Sequence, residues 1–290
     1  MLQERLLSRP RPGTVEFHHR AVERVVDAMR IRLEETLSLE EMAEIAIMSP
    51  FHFNRVFRRL TGVPPCQFLS ALRLEKAKRL LLTTDISVTD ICFQVGYNSL
   101  GTFTRRFTEL VGLSPQRLRA LSTFDAAHLA GTFRHAHLCS QGDDSASTAG
   151  RIVVPAGFSG LIFVGVFSSP VPQGRPIACT VMGAPGPCRM PRVPEGRNYL
   201  FAAALDLSSS HPNDYFLYEN VLRGGMQGGA HPGSGGELFL RPADPIDPPI
   251  LLTFPLLVEA FCSRQTRTCN TRSSLDGESN RDWLDHDLRQ

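Results

Sequence analysis

Met48-Ser49-Pro50-Phe51-His52-Phe53-Asn54-Arg55-Val56-Phe57-Arg58-Arg59-Leu60-Thr61-Gly62 is the stretch on which the reading of this chain turns. Ser49 offers a side-chain oxygen to the orphan amides of a helix start, and Pro50 follows where a missing N–H costs nothing. Phe53, Val56, Phe57 and Leu60 fall at i, i+3, i+4 and i+7, so they form one buried stripe. Asn54, Arg55, Arg58 and Arg59 then point elsewhere. No acidic residue lies between Glu44 and Glu75, so this positive charge has no local compensation, and Asn54 beside it can pair with a base edge. Basic faces are common on ordinary solvated helices. What separates this one from them is that the pattern comes twice.

Working outward, Val22, Val25, Val26, Met29 and Leu33 make a helical stripe, and residues 1–19 before it show no clear period and read as a flexible arm. Ser38 followed by Glu41 is a capping-box signature that opens a second helix through about Ile47. Two short helices joined by a tight turn, the second of them basic, are the pattern of a helix-turn-helix. Gly62 closes the unit and Pro64-Pro65 blocks its continuation. A long helix is expected from about Pro65 to Leu82, with Phe68, Ala71, Leu74, Ala77 and Leu81 on one side and Arg73, Lys76 and Arg79 on another.

The unit then recurs. Ser87-Val88-Thr89-Asp90 is again a cap with an acid three residues on, and a turn at Gly96-Tyr97-Asn98 leads to a helix from Ser99 to Gly112. Ser49, Phe53, Phe57, Gly62 and Pro65 return 50 residues later as Ser99, Phe103, Phe107, Gly112 and Pro115, whereas Ser38 and Ser87 differ by 49. One residue has therefore been gained in the second turn, where insertion is cheapest.

The repeat with its linker, and above all Ile91-Cys92-Phe93-Gln94-Val95-Gly96-Tyr97-Asn98-Ser99 followed by Phe103-Thr104-Arg105-Arg106-Phe107 and Gly112-Leu113-Ser114-Pro115, resembles the AraC/XylS family of transcription regulators. Arg73-Leu74, Ala77 and Leu81-Leu82 fit that family's linker helix. The resemblance covers about residues 20–121. It implies a seven-helix domain with two helix-turn-helix units, whose second helices enter successive major-groove segments of double-stranded DNA. By position in the motif, Phe51, Asn54 and Arg55 of the first unit and Leu100, Gly101, Thr104 and Arg105 of the second face base edges. Arg58, Arg59, Arg73, Arg106, Arg117 and Arg119 are phosphate candidates by charge. Gly101 lacks the side chain a polar base-reading position would use, so the second unit is expected to read fewer bases. In many members of that family a sensor precedes the DNA-binding domain, whereas here the DNA-binding domain comes first.

Charge agrees with this division. The whole chain is +2, but residues 20–122 hold 15 Lys+Arg against 11 Asp+Glu, while residues 123–290 hold 13 against 16. The basic part is the candidate for a polyanion partner. Seven scattered cysteines with no C-x-x-C pair, no apolar leader and no run near the ~20 apolar residues of a membrane span point to a soluble cytoplasmic protein with free thiols.

Residues 123–150 end in a polar, small-residue stretch and read as a linker. His135, His137 and Cys139 within it alternate, but a fourth metal ligand is missing and no metal is expected. From residue 151 to 260 short apolar runs are broken by Gly and Pro: Ile152–Val154, Leu161–Phe167, Ile177–Met182, Tyr199–Leu205, Tyr215–Leu222, Glu237–Leu240 and Ile250–Phe254. Such spacing predicts an antiparallel β-sandwich or barrel. The order Gly165-Val166-Phe167, Gly174-Arg175-Pro176, Val193-Pro194-Glu195-Gly196 and Tyr199-Leu200-Phe201-Ala202-Ala203 loosely resembles transthyretin-like or carboxypeptidase-regulatory β-domains. Such a domain could bind a small-molecule effector, pair with a second copy, or contact RNA polymerase. Tyr199, Phe201, Tyr215, Phe216 and Tyr218 could line a pocket, although aromatic residues in strands are more often core. Residues 261–290 are polar and mixed in charge, and read as a disordered tail.

An enzyme needs a nucleophile, a metal or a phosphate loop. The chain carries no Gly-x-Ser-x-Gly, Walker A or His-Glu-x-x-His, and the glycines from Gly224 to Gly236 lack the Lys-Ser/Thr of a phosphate cradle, so they read as a flexible hairpin or lid. The expectation is a non-enzymatic DNA-binding regulator without cofactor, an α-helical double helix-turn-helix domain followed by a β-sandwich. The competing reading is an architectural or DNA-repair-coupled DNA binder whose β-domain only dimerises.

Overall fold

The helical stripe that begins at Ala21 lies on α1 (Pro12–Ile31), in which Ala21, Val22, Val25, Val26 and Met29 are fully buried. The structure, a computed structural model, describes residues 12–121, 147–190, 198–206, 217, 221–226 and 236–253. The helix starts before the boundary expected for a flexible arm, because buried His18 ties residues 12–19 to the basic helix.

α2 (Leu39–Ala46) opens on the expected capping box: Glu41 N–H donates to Ser38 Oγ at 3.2 Å and Ser38 N–H to Glu41 Oε2 at 2.8 Å. It ends on Ile47 at φ 57°, a left-handed conformation that a β-branched residue rarely adopts. α3 (Pro50–Thr61) follows with Pro50 in its first turn. Ser49 holds the N-cap position in extended backbone, but its hydroxyl makes no capping bond, contrary to expectation. The second unit, α5 (Val88–Gln94) and α6 (Leu100–Val111), is capped by both serines: Ser87 Oγ accepts from Asp90 N–H at 3.1 Å, and Ser99 Oγ from Thr102 N–H at 3.4 Å. The left-handed residues of the two turns, Ile47 and Gly96, are 49 residues apart and the N-caps Ser49 and Ser99 are 50 apart. The extra residue therefore lies between the left-handed residue and the N-cap. Both recognition helices close on left-handed glycines, Gly62 at φ 83° and Gly112 at φ 92°.

Each unit is filled by its phenylalanine pair. Phe53 and Phe57 meet with ring centroids 5.4 Å apart, and Phe57 meets Phe68 of α4 (Pro65–Thr83) edge-on at 5.4 Å. Phe103 and Phe107 lie 5.5 Å apart, with Tyr97 at 5.4 Å from Phe103. α4 is buried on nearly every side: Phe68, Leu69, Ala71, Leu72, Leu74, Ala77, Lys78, Leu81 and Leu82 all lie inside. Helices buried all round belong at the centre of a structure. A short α7 (Pro115–Leu121) completes the seven helices among the described residues.

The C-terminal part forms two sheets. β1 (Ser147–Val153) lies between β4 (Gly186–Met190) and β7 (Glu237–Phe239), and the second sheet has the order β3 (Ala178–Met182), β2 (Gly160–Phe167), β5 (Tyr199–Asp206), β6 (Leu222–Met226). All pairings are antiparallel except β1 with β7, which is parallel and departs from the expectation of a purely antiparallel domain. Gly186–Met190 is a strand that no apolar run announced, since only alternate residues are buried. Conversely, residues 250–253 are buried without forming a strand. Gly224 and Gly225 lie inside β6. The expected linker overlaps β1, and residues 122–146, the His135–Cys139 segment, Tyr215, Phe216, Tyr218 and the tail from 254 lie outside the described residues.

β2 explains how the sheets and helices share one interior. Ile162, Val164 and Val166 face the three-stranded sheet, with Ile152, Cys188, Met190 and Leu238 opposite. Leu161, Phe163 and Phe167 join the same apolar cluster as the helices. Strands buried on both faces read as continuous apolar runs rather than alternating ones, as Leu161–Phe167 does. Polar bonds tie loops to helices across this seam: Gly174 N–H donates to Leu110 O at 2.7 Å, Arg30 Nη2 to Pro245 O at 2.9 Å and Lys78 Nζ to Ile250 O at 3.2 Å.

Two glycine substitutions separate backbone constraint from helix propensity. At Gly96, φ is 79° and an added Cβ would lie 2.5 Å from Leu33 O, so Gly96→Ala should lower stability by about 1–2 kcal/mol or more. At exposed Gly101 an added Cβ meets nothing nearer than Ser99 Oγ at 3.9 Å, so Gly101→Ala should raise stability by up to ~1 kcal/mol. Urea denaturation of both variants reads the two signs.

Lys78 supplies a pH dependence. It is buried beside Glu75, and burial brings its pKa down from 10.5 to about 7. Between those pH values the unfolded chain holds a proton that the folded chain releases, so this group makes stability rise with pH across that window. Lys78→Met removes the contribution. The stability of the parent relative to Lys78→Met should therefore increase from pH 7 to pH 10, measured by denaturant unfolding at each pH.

Candidate nucleic-acid interface

With Phe53, Val56 and Phe57 buried, α3 turns the opposite stripe to solvent. Phe51, Asn54, Arg55 and Arg58, at i, i+3, i+4 and i+7, are all exposed, and Phe51 is 81% accessible. A phenylalanine so exposed costs solvation and is the kind of group that contacts thymine methyls in the major groove. Fifty residues on, Gly101, Thr104, Arg105 and Thr108 occupy the same four places on α6. There Leu100, Gly101, Thr104, Arg105, Thr108 and Glu109 line one shallow, open trough. The residues expected at base edges thus stand on the outer stripe of a second helix, except Leu100, which lines the trough beside that stripe.

The two stripes differ in charge. Arg55, Arg58 and Arg59 of α3 correspond to Arg105, Thr108 and Glu109 of α6, with Arg106 beside them. The first helix therefore presents the stronger field to a polyanion, and the second carries an acid where the first has an arginine.

A histidine cluster supports α3 and was not foreseen from the sequence. Arg55 Nη2 lies 3.2 Å from His52 Nδ1, and Arg59 Nη2 lies 3.2 Å from His18 Nδ1. The His18 and His52 rings meet edge-on at 5.5 Å. Burial, and then the charges of Arg59 and His52, push the His18 pKa down. A neutral His18 keeps a lone pair on Nδ1 for Arg59. The one signal in the sequence was His52 three residues before Arg55, one turn away on the same helix.

The phosphate candidates divide. Arg58 and Arg106 are exposed, and exposed Arg59 is steadied by His18. Arg73 is half-buried: its Nε donates to Leu33 O at 2.9 Å and its Nη2 to Glu35 O at 2.8 Å, and burial lowers its pKa. It ties the end of α1 to α4 and packs against Gly96, so most of its donors face inward rather than toward a phosphate. Arg119 donates to Ile86 O, and Arg117 Nε is buried without a hydrogen-bond partner among the described residues. All three are partly buried, and Arg73 and Arg119 spend donors on backbone carbonyls of their own domain. Among the described residues, no group of His, Cys, Asp and Glu is placed to hold a metal, and no helix is long and apolar enough to cross a membrane.

Comparison with known proteins matches the same region. A family model described as a helix-turn-helix domain covers residues 42–120. The chain is similar to the HTH-type transcriptional regulator YobQ of Bacillus subtilis strain 168, at 34% identity over 87 residues, 30% of this chain and 36% of that protein. It is similar also to the bifunctional transcriptional activator/DNA repair enzyme AdaA of the same organism, at 30% identity over 94 residues, 32% of this chain and 44% of that protein. The chain thus spans less than half the length of these relatives. Among solved structures, the DNA-binding domain of AdpA, a global transcriptional factor in complex with a target DNA, shares 36% identity across 34% of this chain and 90% of that one, with a TM-score of 0.33. An AraC-type regulator from Chromobacterium violaceum shares 25% identity across 39% of this chain and 97% of that one, with a TM-score of 0.35. The helical part of this chain is a helix-turn-helix domain of the AraC/XylS family.

Proposed function

We propose that this chain is a sequence-specific DNA-binding transcriptional regulator, cytoplasmic and without catalytic activity, whose α3 and α6 enter adjacent major-groove segments about one helical turn (~34 Å) apart. The observation that carries this reading is the duplicated outer stripe, Phe51/Asn54/Arg55/Arg58 and Gly101/Thr104/Arg105/Thr108, on two helices that flank a buried α4. Arg55 and Arg105 have the donor fork that matches guanine O6 and N7, and Asn54 suits adenine N6 and N7. Phe51 and Leu100 supply apolar contact, Thr104 a hydroxyl, and Gly101 only close backbone approach. Arg58, Arg59 and Arg106 bind phosphates and position the helices. The two sheets act as a sandwich-type accessory domain at the other side of α4, through which an effector, a second copy or RNA polymerase would act on DNA occupancy.

Base-reading and phosphate-binding residues respond differently to substitution. Arg55→Ala should relax preference at one base position, losing ~1–3 kcal/mol of discrimination there. Arg58→Ala should weaken all sequences alike and reduce the salt slope of binding by about 1. Binding-site selection from a random duplex library, followed by salt titrations on the selected site, measures both. If both variants lose affinity with preference unchanged, the roles assigned to α3 are wrong.

A further inference from the structure

A cleft of about 210 Å³ opens where the end of α3 meets the four-stranded sheet. Its floor is the helix-facing side of that sheet, where the aromatic rings of Phe163, Phe167 and Phe201 alternate with Gly165, Ala203 and Gly225. The missing side chains make the hollow: a Cβ on Gly225 would stand 3.0 Å from the Phe201 ring, and one on Gly165 would stand 2.8 Å from that of Phe167. Leu60 and Thr61, the last residues of the first recognition helix, form the opposite wall.

The charged lining is unequal. Among the described lining residues, Arg223 and Arg241 share one carboxylate, Asp247. Arg241 takes both oxygens of that carboxylate, with Nη1 and Nη2 each at 2.8 Å, and the Asp244 N–H adds a bond at 2.7 Å. Among the described residues, Arg223 keeps one long side-chain bond, from Nη1 to Pro248 O at 3.3 Å, while its buried Nε has no hydrogen-bond partner. Its other charged neighbours are Glu75, which also feels the charge of Lys78, and Arg30. A guanidinium with unused donors at the edge of an apolar hollow is arranged to receive a carboxylate, because charge-assisted, fork-shaped bonding is strongest there. The volume is below the ~300 Å³ at which pockets begin to take drug-sized ligands, so the occupant is small.

We propose that this cleft binds a small monocarboxylate with a compact apolar body, its carboxylate on Arg223 and its body over Phe163, Gly165, Phe201 and Gly225. Because the cleft is closed on one side by the end of α3, occupancy alters how that helix is held and hence DNA affinity. This part rests on the regulator reading. By linkage, DNA and ligand then change each other's affinity by the same factor.

The test uses the full chain with benzoate and 3-methylbutanoate as probes, benzamide as the uncharged counterpart and inorganic phosphate as the anion without an apolar body. Thermal unfolding and calorimetric titration should show saturable binding of at least one carboxylate, with neither benzamide nor phosphate matching it. Arg223→Gln should weaken that carboxylate at least tenfold, Arg223→Lys by less, and Gly225→Ala should weaken it by narrowing the floor; unliganded unfolding curves establish that each variant folds. Equal response to benzamide or phosphate, no response to either acid, or undiminished binding by a folded Arg223→Gln overturns the proposal. DNA affinity is measured separately with and without the acid. Loss of all DNA binding in the unliganded chain would count against the regulator reading, whereas intact DNA binding with no carboxylate effect counts against the cleft's regulatory role alone.

Discussion

Burial of α4 on opposite sides is the constraint from which the remaining structure follows. Phe68 meets Phe57 of the first unit, and Leu81 and Leu82 lie toward the end that leads into the second. Lys78 reaches Ile250 across the seam to the β-part. A helix with apolar residues around its circumference cannot be stable in water by itself, since every face exposed costs ~25 cal/mol per Å² of apolar surface. Its three neighbours are consequently held relative to one another by a single rod. Arg73 adds a polar lock by bonding the carbonyls of Leu33 and Glu35, which pins the end of α1 beside Gly96 in the turn of the second unit. One arginine thus connects elements belonging to both units. The proposed reading of DNA by two helices requires a fixed spacing, and these contacts fix it.

Duplication did not produce two equal units. The first unit has a capping box under its support helix, a left-handed isoleucine in its turn and a basic recognition helix braced by His18 and His52. The second has a glycine turn one residue longer and a recognition helix with Gly101 and Glu109 in place of Phe51 and Arg59. Both keep the phenylalanine pair and the glycine stop, which are requirements of packing and chain reversal. Most positions that diverged are outward ones, where packing imposes little and contact chemistry can vary, although buried Val56 also gives way to exposed Arg106. Side chains braced on their own helix, as Arg55 is by His52, lose less rotamer freedom on meeting a base than free ones do.

The helical part was legible in the sequence because its signals are local: caps, a period of 3.6 and glycine stops act within a few residues of where they stand. The outer stripes followed from the inner ones by subtraction. What escaped was long-range. Arg73 and Arg119 look like phosphate ligands when only charge is visible, and their carbonyl partners lie 40 and 33 residues away in sequence. His18 sat in a segment without period, and its role depends on a helix that begins more than 30 residues later. In the β-part, strands buried on two faces announced themselves as apolar runs, but β4 alternates and contains Pro187, so it lacked that mark. The parallel partnership of β1 and β7 joins residues more than 80 apart and has no local signature at all.

The order of layers constrains how any signal could pass. The four-stranded sheet has one face against the three-stranded sheet and the other within the helical core, so it is a partition rather than an outer wall. Anything that shifts this sheet by a fraction of an ångström must be accommodated by close-packed neighbours on both sides. On the helical side those neighbours are α4 and the end of α3. The partition is also where the chain tolerates unusual groups: a buried lysine, a glutamate whose pKa is raised by burial, and an arginine whose buried Nε has no hydrogen-bond partner among the described residues. Such groups cost stability compared with apolar packing of the same volume. Their concentration at one seam, with the apolar interior between the two sheets on one side and the paired phenylalanines on the other, makes that seam the part of the fold whose energy is most readily changed. A recognition helix that ends there, at Leu60 and Thr61, is mechanically joined to it.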